Sequence, residues 1–304
     1  MSDKIRIGTR GSPLALAQAR ETRSRLMAAL HRGEEQFEIV VIKTTGDLVR
    51  DRPLSEIGGK GLFTKELEEA LLAGSIDLAV HSMKDMPAAL PEGLEIAAVL
   101  PREDVRDAFI SFAAKDLKGL PKGARLGSSS VRRTAQALRL RPDLASAPFR
   151  GNVETRLQKL KDGVADATFL AAAGLNRLGL QAHITSYISV DEMLPALAQG
   201  AVAIEIAQGN KVAEYLSLID HRESHTAVLC ERAFMAALDG SCRTPIAGLA
   251  ILKDRNIHFR GEALTLDGKH VFSTSCDGAY ADAARMGREA GEVVRAKGGA
   301  LLTL

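Results

Sequence analysis

The segment His81-Ser82-Met83-Lys84-Asp85-Met86-Pro87 gathers an imidazole, an ammonium and a carboxylate within seven residues. Such a set can move protons or hold a fixed negative charge beside a cation that forms during a reaction. The apolar run before it, residues 76–80, reads as a buried strand. Ligands of open parallel sheets bind just beyond the carboxyl ends of strands. Pro87 ends regular structure after Asp85. Taken alone, the segment is explained as well by a polar turn with a solvated Lys84–Asp85 pair. Other signals along the chain shift the balance.

Three strand-to-helix junctions carry cations or capping hydroxyls: Arg10 with Ser12, Ser128-Ser129-Ser130 with Arg132 and Arg133, and Arg150-Gly151-Asn152 with Arg156. Helix N-termini favour anions through free N–H groups and the helix dipole. Arginine adds two-pronged recognition of carboxylate or phosphate. Junctions of this kind facing one cleft would hold a polyanion; singly, each arginine reads as a solvated or salt-bridged side chain. The loop Gly58-Gly59-Lys60-Gly61 fails the P-loop test: Lys60 is followed by Gly61 rather than Ser or Thr, and Leu54 stands where the first glycine belongs. Nucleotide hydrolysis is not indicated, and the loop reads as a lid or a site loop. Of the three cysteines, Cys230 shares a helical face with Ala227 and Phe234 and reads as core. Cys276 lies at a strand end. Cys242, in Gly240-Ser241-Cys242-Arg243-Thr244-Pro245, sits in a loop beside a cation that favours the thiolate. It is a candidate nucleophile or attachment point, with an inert thiol as the alternative.

These residues need elements to place them. Residues 5–8, 37–44 and 76–80 read as strands, alternating with helices to about residue 32 and over 64–73, the pattern of a parallel sheet. Ser12 suits the N-cap and Pro13 the first helical position. The charged stretch Pro101-Arg102-Glu103-Asp104 reads as a crossing to a second domain. A similar series follows: strand 125–127, helix 131–140, helix 153–161 and strand 165–172. Residues 201–206 form a further strand that can return to the first sheet. The last part differs, with a helix over 226–238, antiparallel strands 250–252, 257–266 and 270–275, and a closing helix over 281–297.

A chain of 304 residues, 46% apolar, is long enough for two or three domains with real cores. The net charge of +2 and the absence of Trp argue against a nucleic-acid partner. Three irregularly spaced cysteines make neither a disulfide framework nor a zinc motif, so no metal is expected and a reducing, cytoplasmic setting fits best. No segment reads as a signal peptide or a membrane span.

Together, Arg10-Gly11-Ser12-Pro13-Leu14-Ala15, Gly58-Gly59-Lys60-Gly61-Leu62-Phe63, His81–Pro87, Ser129-Ser130-Val131-Arg132-Arg133, Arg150-Gly151-Asn152-Val153 and the Cys242 loop resemble the porphobilinogen deaminase (hydroxymethylbilane synthase) family over essentially the whole chain. The resemblance implies an α/β fold. Two domains like type II periplasmic binding proteins, with mostly parallel sheets (1–99 with 200–218, and 104–196), flank the active site. A small α+β domain (222–304) carries the cysteine loop. It also implies a monomeric transferase that joins four porphobilinogen molecules head to tail with loss of ammonia, giving hydroxymethylbilane. The primer is a dipyrromethane cofactor in thioether linkage to Cys242. Asp85 matches the catalytic aspartate, which supports a cationic azafulvene. Arg10, Ser12, Lys60, Lys84, Ser129, Ser130, Arg132, Arg133, Arg150 and Arg156 match positions that bind the carboxylates, and Arg177 one assigned to the incoming substrate. Asp47 and Gln199 are carried over on weaker matches. The chain departs from the commoner pattern at Ser241, Arg243 and Thr244 around the cysteine, at Glu56 where some members carry lysine, at Thr45 where some carry arginine, and at Ala198, where a glycine is usual. Three other readings compete. A solute-binding protein would have no use for Cys242, and a LysR-type effector domain would lack a helix-turn-helix here. A cysteine hydrolase would depend on His81, which no spacing ties to Cys242.

Overall fold

The computed structural model describes residues 4–48, 61–239 and 244–302. In chain order it lays down β1 (Ile5–Arg10), α1 (Pro13–Leu30), β2 (Phe37–Ile42), α2 (Thr45–Leu48), α3 (Lys65–Leu72), β3 (Leu78–Ser82) and β4 (Leu94–Val99). Then come β5 (Asp107–Ser111), β6 (Arg125–Gly127), α4 (Val131–Leu140), β7 (Ala145–Ala147), α5 (Val153–Lys161), β8 (Ala167–Ala171), α6 (Ala172–Arg177) and β9 (Ser186–Tyr187). The chain closes with β10 (Val202–Ala207), α7 (Val212–Leu216), α8 (Arg222–Ala237), β11 (Ile246–Lys253), β12 (Asn256–Leu264), β13 (Val271–Ala279) and α9 (Ala283–Gly298).

The first compact unit, residues 1–103 and 200–225, holds the sheet β2-β1-β3-β10-β4. β1 pairs in parallel with β2 and β3, while β10 runs antiparallel between β3 and β4. Four strands thus point one way and the returning strand opposes them, so the sheet is mostly parallel with one antiparallel insertion. Its core packs Ile7, Leu26, Leu78 and Ile204, all fully buried.

The second unit, residues 104–199 and 226–304, holds β7-β6-β8-β5-β9 with the same logic: β6 is parallel to β7 and β8, and β5 is antiparallel to β8 and β9. Phe109 and Phe169 meet at 5.8 Å between ring centroids in its core. Both sheets thus share one order, with the reversed strand in the fourth place. The same unit contains the antiparallel sheet β11-β12-β13, covered by α8 and α9 over Phe234 and Phe259. The β11–β12 turn is tight because Asp254 and Arg255 both take positive φ, 50° and 64°. Gly287 lets α9 reach the Cys230 carbonyl of α8, where a Cβ would collide. The sequence does not mark β4, β5, β7 or β9 as strands: β4 and β5 follow proline-containing or charged stretches, and β7 and β9 are only three and two residues long.

Candidate active site

β1, β2 and β3 are parallel, so their carboxyl ends share one edge of the first sheet. That edge collects Arg10 and Ser12 after β1 and Lys84 and Asp85 after β3. A small pocket there is lined by Arg10, Ser12, Gln18, Phe63, His81, Ser82 and Asp85. Ser12 is the N-cap of α1, its Oγ accepting from Ala15 N–H at 3.3 Å, with Pro13 at the first helical position. Capping uses a lone pair and leaves the hydroxyl proton to donate to an anion. The Arg10 guanidinium lies 4.1 Å over the Phe63 ring, a cation–π contact that orients it. Asp85 ends a single 3-10 turn, Met83–Asp85, and is exposed, while Met83 and Met86 on either side are buried anchors. The turn is further tied where Met83 N–H donates to the Ala201 carbonyl at 3.1 Å.

Gln18 and His81 belong to the pocket but not to the expected carboxylate-binding set. Gln18 donates from its amide to Ser82 Oγ at 2.9 Å. It is a polar residue on the buried stripe Ala15, Gln18, Ala19, Thr22, Leu26 of α1, and that interruption is the signal that could have found it. His81 is buried, with Nε2 3.0 Å from Glu205 Oε2 on β10. The two side chains touch without an aligned hydrogen bond. Burial pushes the Glu68 carboxyl of α3 above its usual range, and the Glu205 charge adds to that rise.

The second sheet repeats the arrangement. Ser129, Ser130, Arg150 and Arg156 follow the carboxyl ends of the parallel strands β6 and β7. Ser130 is the N-cap of α4, accepting from Arg133 N–H at 3.4 Å, and Ser129 Oγ accepts from Phe149 N–H at 3.1 Å. Asn152 caps α5, accepting from Thr155 N–H at 2.8 Å. Arg156 Nε donates to the Gly151 carbonyl at 2.9 Å, which holds the guanidinium at that junction. Arg177 ends α6, beyond β8.

Arg132 and Arg133 are placed differently from the other arginines. Both are buried and converge on Asp107, the first residue of β5. Arg132 Nη1 lies 2.7 Å from Oδ2, while Arg133 Nε and Nη2 donate to Oδ1 at 3.0 and 2.7 Å. Gln199 donates to the same Oδ1 at 3.0 Å and to the Val105 carbonyl at 2.9 Å. Burial alone would raise the Asp107 carboxyl. The charges and hydrogen bonds of the two arginines outweigh it and hold the group far below the usual carboxylate range. Burial pulls Arg132 below its ordinary value, with Asp107 working against that. These two arginines and Gln199 therefore spend donors on one internal carboxylate. Arg133 Nη1 is the Arg133 guanidinium nitrogen not committed to it. Just before Gln199, Ala198 holds φ 58°, a left-handed conformation that costs an alanine about 1 kcal/mol. Its N–H is held by Glu231 Oε2 at 2.5 Å.

Lys60 and Cys242 lie outside the described residues, as does the side chain of Asp47. Among the described residues no cluster of His, Cys, Asp and Glu is placed to hold a metal ion, and no helix is long and apolar enough to cross a membrane.

The chain is an α/β protein with cationic and hydroxyl side chains at the carboxyl edges of two sheets of the same order. Comparison with known proteins narrows this. Residues 5–214 match the family model "Porphobilinogen deaminase, dipyromethane cofactor binding domain", and residues 225–296 match "Porphobilinogen deaminase, C-terminal domain". The porphobilinogen deaminase of Paracoccus denitrificans is 58% identical over 294 residues, 96% of this chain and 94% of that protein. The chloroplastic enzyme of Pisum sativum is 54% identical over 302 residues, 97% and 82% of the two chains. The chain belongs to the porphobilinogen deaminase family. Among solved structures it is similar to a TRAP periplasmic solute binding protein from Desulfovibrio salexigens (9% identity, 72% of each chain, TM-score 0.43), a likeness too slight to carry an argument.

Proposed function

We propose that Asp85 carries the chemistry of this chain and that Cys242 anchors its cofactor. The activity is that of the family: formation of hydroxymethylbilane from porphobilinogen, with a dipyrromethane cofactor. The observation that carries the assignment of Asp85 is its place: an exposed carboxylate on a turn pinned by two buried methionines, lining a pocket with Arg10, Ser12 and His81.

The residues present suit a group bearing several carboxylates. Arg10 is held over Phe63 at the carboxyl edge of the sheet, and Ser12, Ser129 and Ser130 keep hydroxyl protons while their oxygens serve the backbone. Arg10, Ser12, Lys84, Ser129, Ser130, Arg150 and Arg156 would hold those carboxylates, together with Lys60 and Arg177. When bound, the cofactor supplies a pyrrole carbon nucleophile as primer. Asp85 contributes a fixed negative charge next to the cation that develops as ammonia leaves the substrate. It also hands a proton to the departing amine and takes one from the ring. Arg132, Arg133 and Gln199 act one layer deeper, fixing the start of α4 on Asp107 so that Ser130 and Arg133 Nη1 present a constant face. The wider reading is a three-domain monomer working in the cytoplasm, with Asp47 as a further site residue carried over from the family.

Intact-protein mass spectrometry with peptide mapping tests the attachment, with two linked pyrrole units expected on the Cys242 peptide. The same adduct on Cys230 or Cys276 would overturn it. Asp85→Asn should fold normally, keep any adduct and lose turnover by at least about 10²-fold; wild-type turnover in that variant removes Asp85 from the mechanism.

A further inference from the structure

His81 has two faces. One lines the pocket beside Asp85, and the other meets Glu205, a fully buried carboxylate on β10. β10 is the strand that re-enters the first sheet after residue 200, and it pairs with the end of β3 through Ser82↔Val202 and His81↔Ala203. Met83 N–H reaches the Ala201 carbonyl from the same strand entry. The turn bearing Asp85 is therefore seated on β10 by backbone bonds and by one side-chain contact, His81–Glu205. Neither oxygen of Glu205 has a hydrogen-bond partner among the described residues, so its 3.0 Å approach to His81 Nε2 is an ion-pair contact. Glu205 has no exposed surface, His81 meets it at contact distance, and Glu68 of α3 feels the charge of both. The imidazole that Glu205 meets is a wall of the pocket.

We infer that His81 and Glu205 form a positioning pair that sets the wall of the pocket and, through β3, the placement of Asp85. The pair acts on geometry. Neither member needs to touch the substrate, and a neutral pair that keeps the contact should do the same work.

This rests on the reading of Asp85 given above, and the experiment separates the two. His81→Gln, Glu205→Gln, the double variant and Asp85→Asn are made in the full chain. Each is characterised by thermal melting, by the mass of the covalent adduct, and by kcat and KM for porphobilinogen well below its own melting temperature. Misplacement of a reacting group by about 1 Å costs roughly 10²-fold in rate. Both single variants should therefore fold, carry the adduct and lose about 10²-fold in kcat, with KM within about threefold of wild type. The double variant, whose two amides can hydrogen-bond across the same gap, should recover melting temperature and most of kcat. Two results overturn the inference: single variants with wild-type kcat while folded, which makes the pair mere core, or a double variant that regains stability but not kcat, which makes the imidazole itself a reacting group. Should a single variant fail to fold, the double variant's kcat still decides between these outcomes. Loss in Asp85→Asn with unchanged single variants sinks the pair alone; unchanged Asp85→Asn sinks the earlier reading.

Discussion

Asp107→Asn offers the most quantitative test of how the second lobe is built. The carboxylate is fully buried and pairs with two guanidiniums whose side chains are 6% and 8% exposed. The amide keeps the shape but removes the charge, and its NH2 turns a donor toward donors. Breaking a buried ion pair by removing one partner costs about 3–5 kcal/mol, and retained hydrogen bonding places this substitution near 3. A domain of this size loses about 2–4 °C of melting temperature per kcal/mol, so the drop should be roughly 6–12 °C. Calorimetry on the full chain at neutral pH measures it. The folded pKa of Asp107 lies below its unfolded value of about 3.9, so its contribution is fully present above that value and is lost as pH falls toward the folded one. The gap between wild type and variant should stay flat from pH 8 to about 5 and narrow below about 4. A drop smaller than about 2 °C at neutral pH, or a gap that widens in acid, refutes the account of Asp107 as the charge that holds this lobe's arginines.

Other expectations follow from single contacts. Ser130→Ala should lose about 1 kcal/mol through the missing cap, whereas Ser130→Asp restores the cap but sets a carboxylate where substrate carboxylates are proposed to bind. Urea melts should then match wild type while KM rises, and an unchanged KM would leave Ser130 a cap alone. Gly127→Ala puts a Cβ 2.7 Å from the Phe149 ring and 2.9 Å from Ala165, an overpacking that costs about 1–3 kcal/mol. An unmoved urea midpoint would show that the ring yields freely. Burial, with the charge of Glu231, pushes the Cys230 thiol up to about 12, and burial raises Cys276 as well. Brief alkylation of the native, cofactor-free chain near pH 8 should therefore label Cys242 first; prior labelling of Cys276 would contradict this.

Local chemistry was legible in the sequence where it depended on neighbours along the chain. Ser12 with Pro13, Ser130 before Val131 and Asn152 before Val153 announce helix starts, and the structure places a cap at each. The carboxyl-edge position of Arg10, Lys84 and Asp85 follows from strand-then-polar patterning. What could not be read were partners joined only by the fold. Asp107 stands 25 and 26 positions before the arginines it pairs with and lies just past a charged stretch that reads as a linker. Glu205, on an otherwise apolar strand, meets His81 only because β10 inserts antiparallel beside β3. Arg132 and Arg133 read as anion-binding candidates from their place after the serine run, while their pairing with Asp107 depended on β5, which the sequence does not mark.

The insertion of β10 between β3 and β4 also bears on how the chain is made. A ribosome finishes β4 at Val99 and then builds the entire second sheet before it reaches Val202. At roughly 5–20 residues per second, that interval lasts about 5–20 s. Throughout it β3 and β4 lack the strand that joins them, and their facing edges are open to wrong pairing. His81 meanwhile waits for Glu205. The first lobe is thus the last of the two to close, and the turn that bears Asp85 takes its seat only after the second sheet exists.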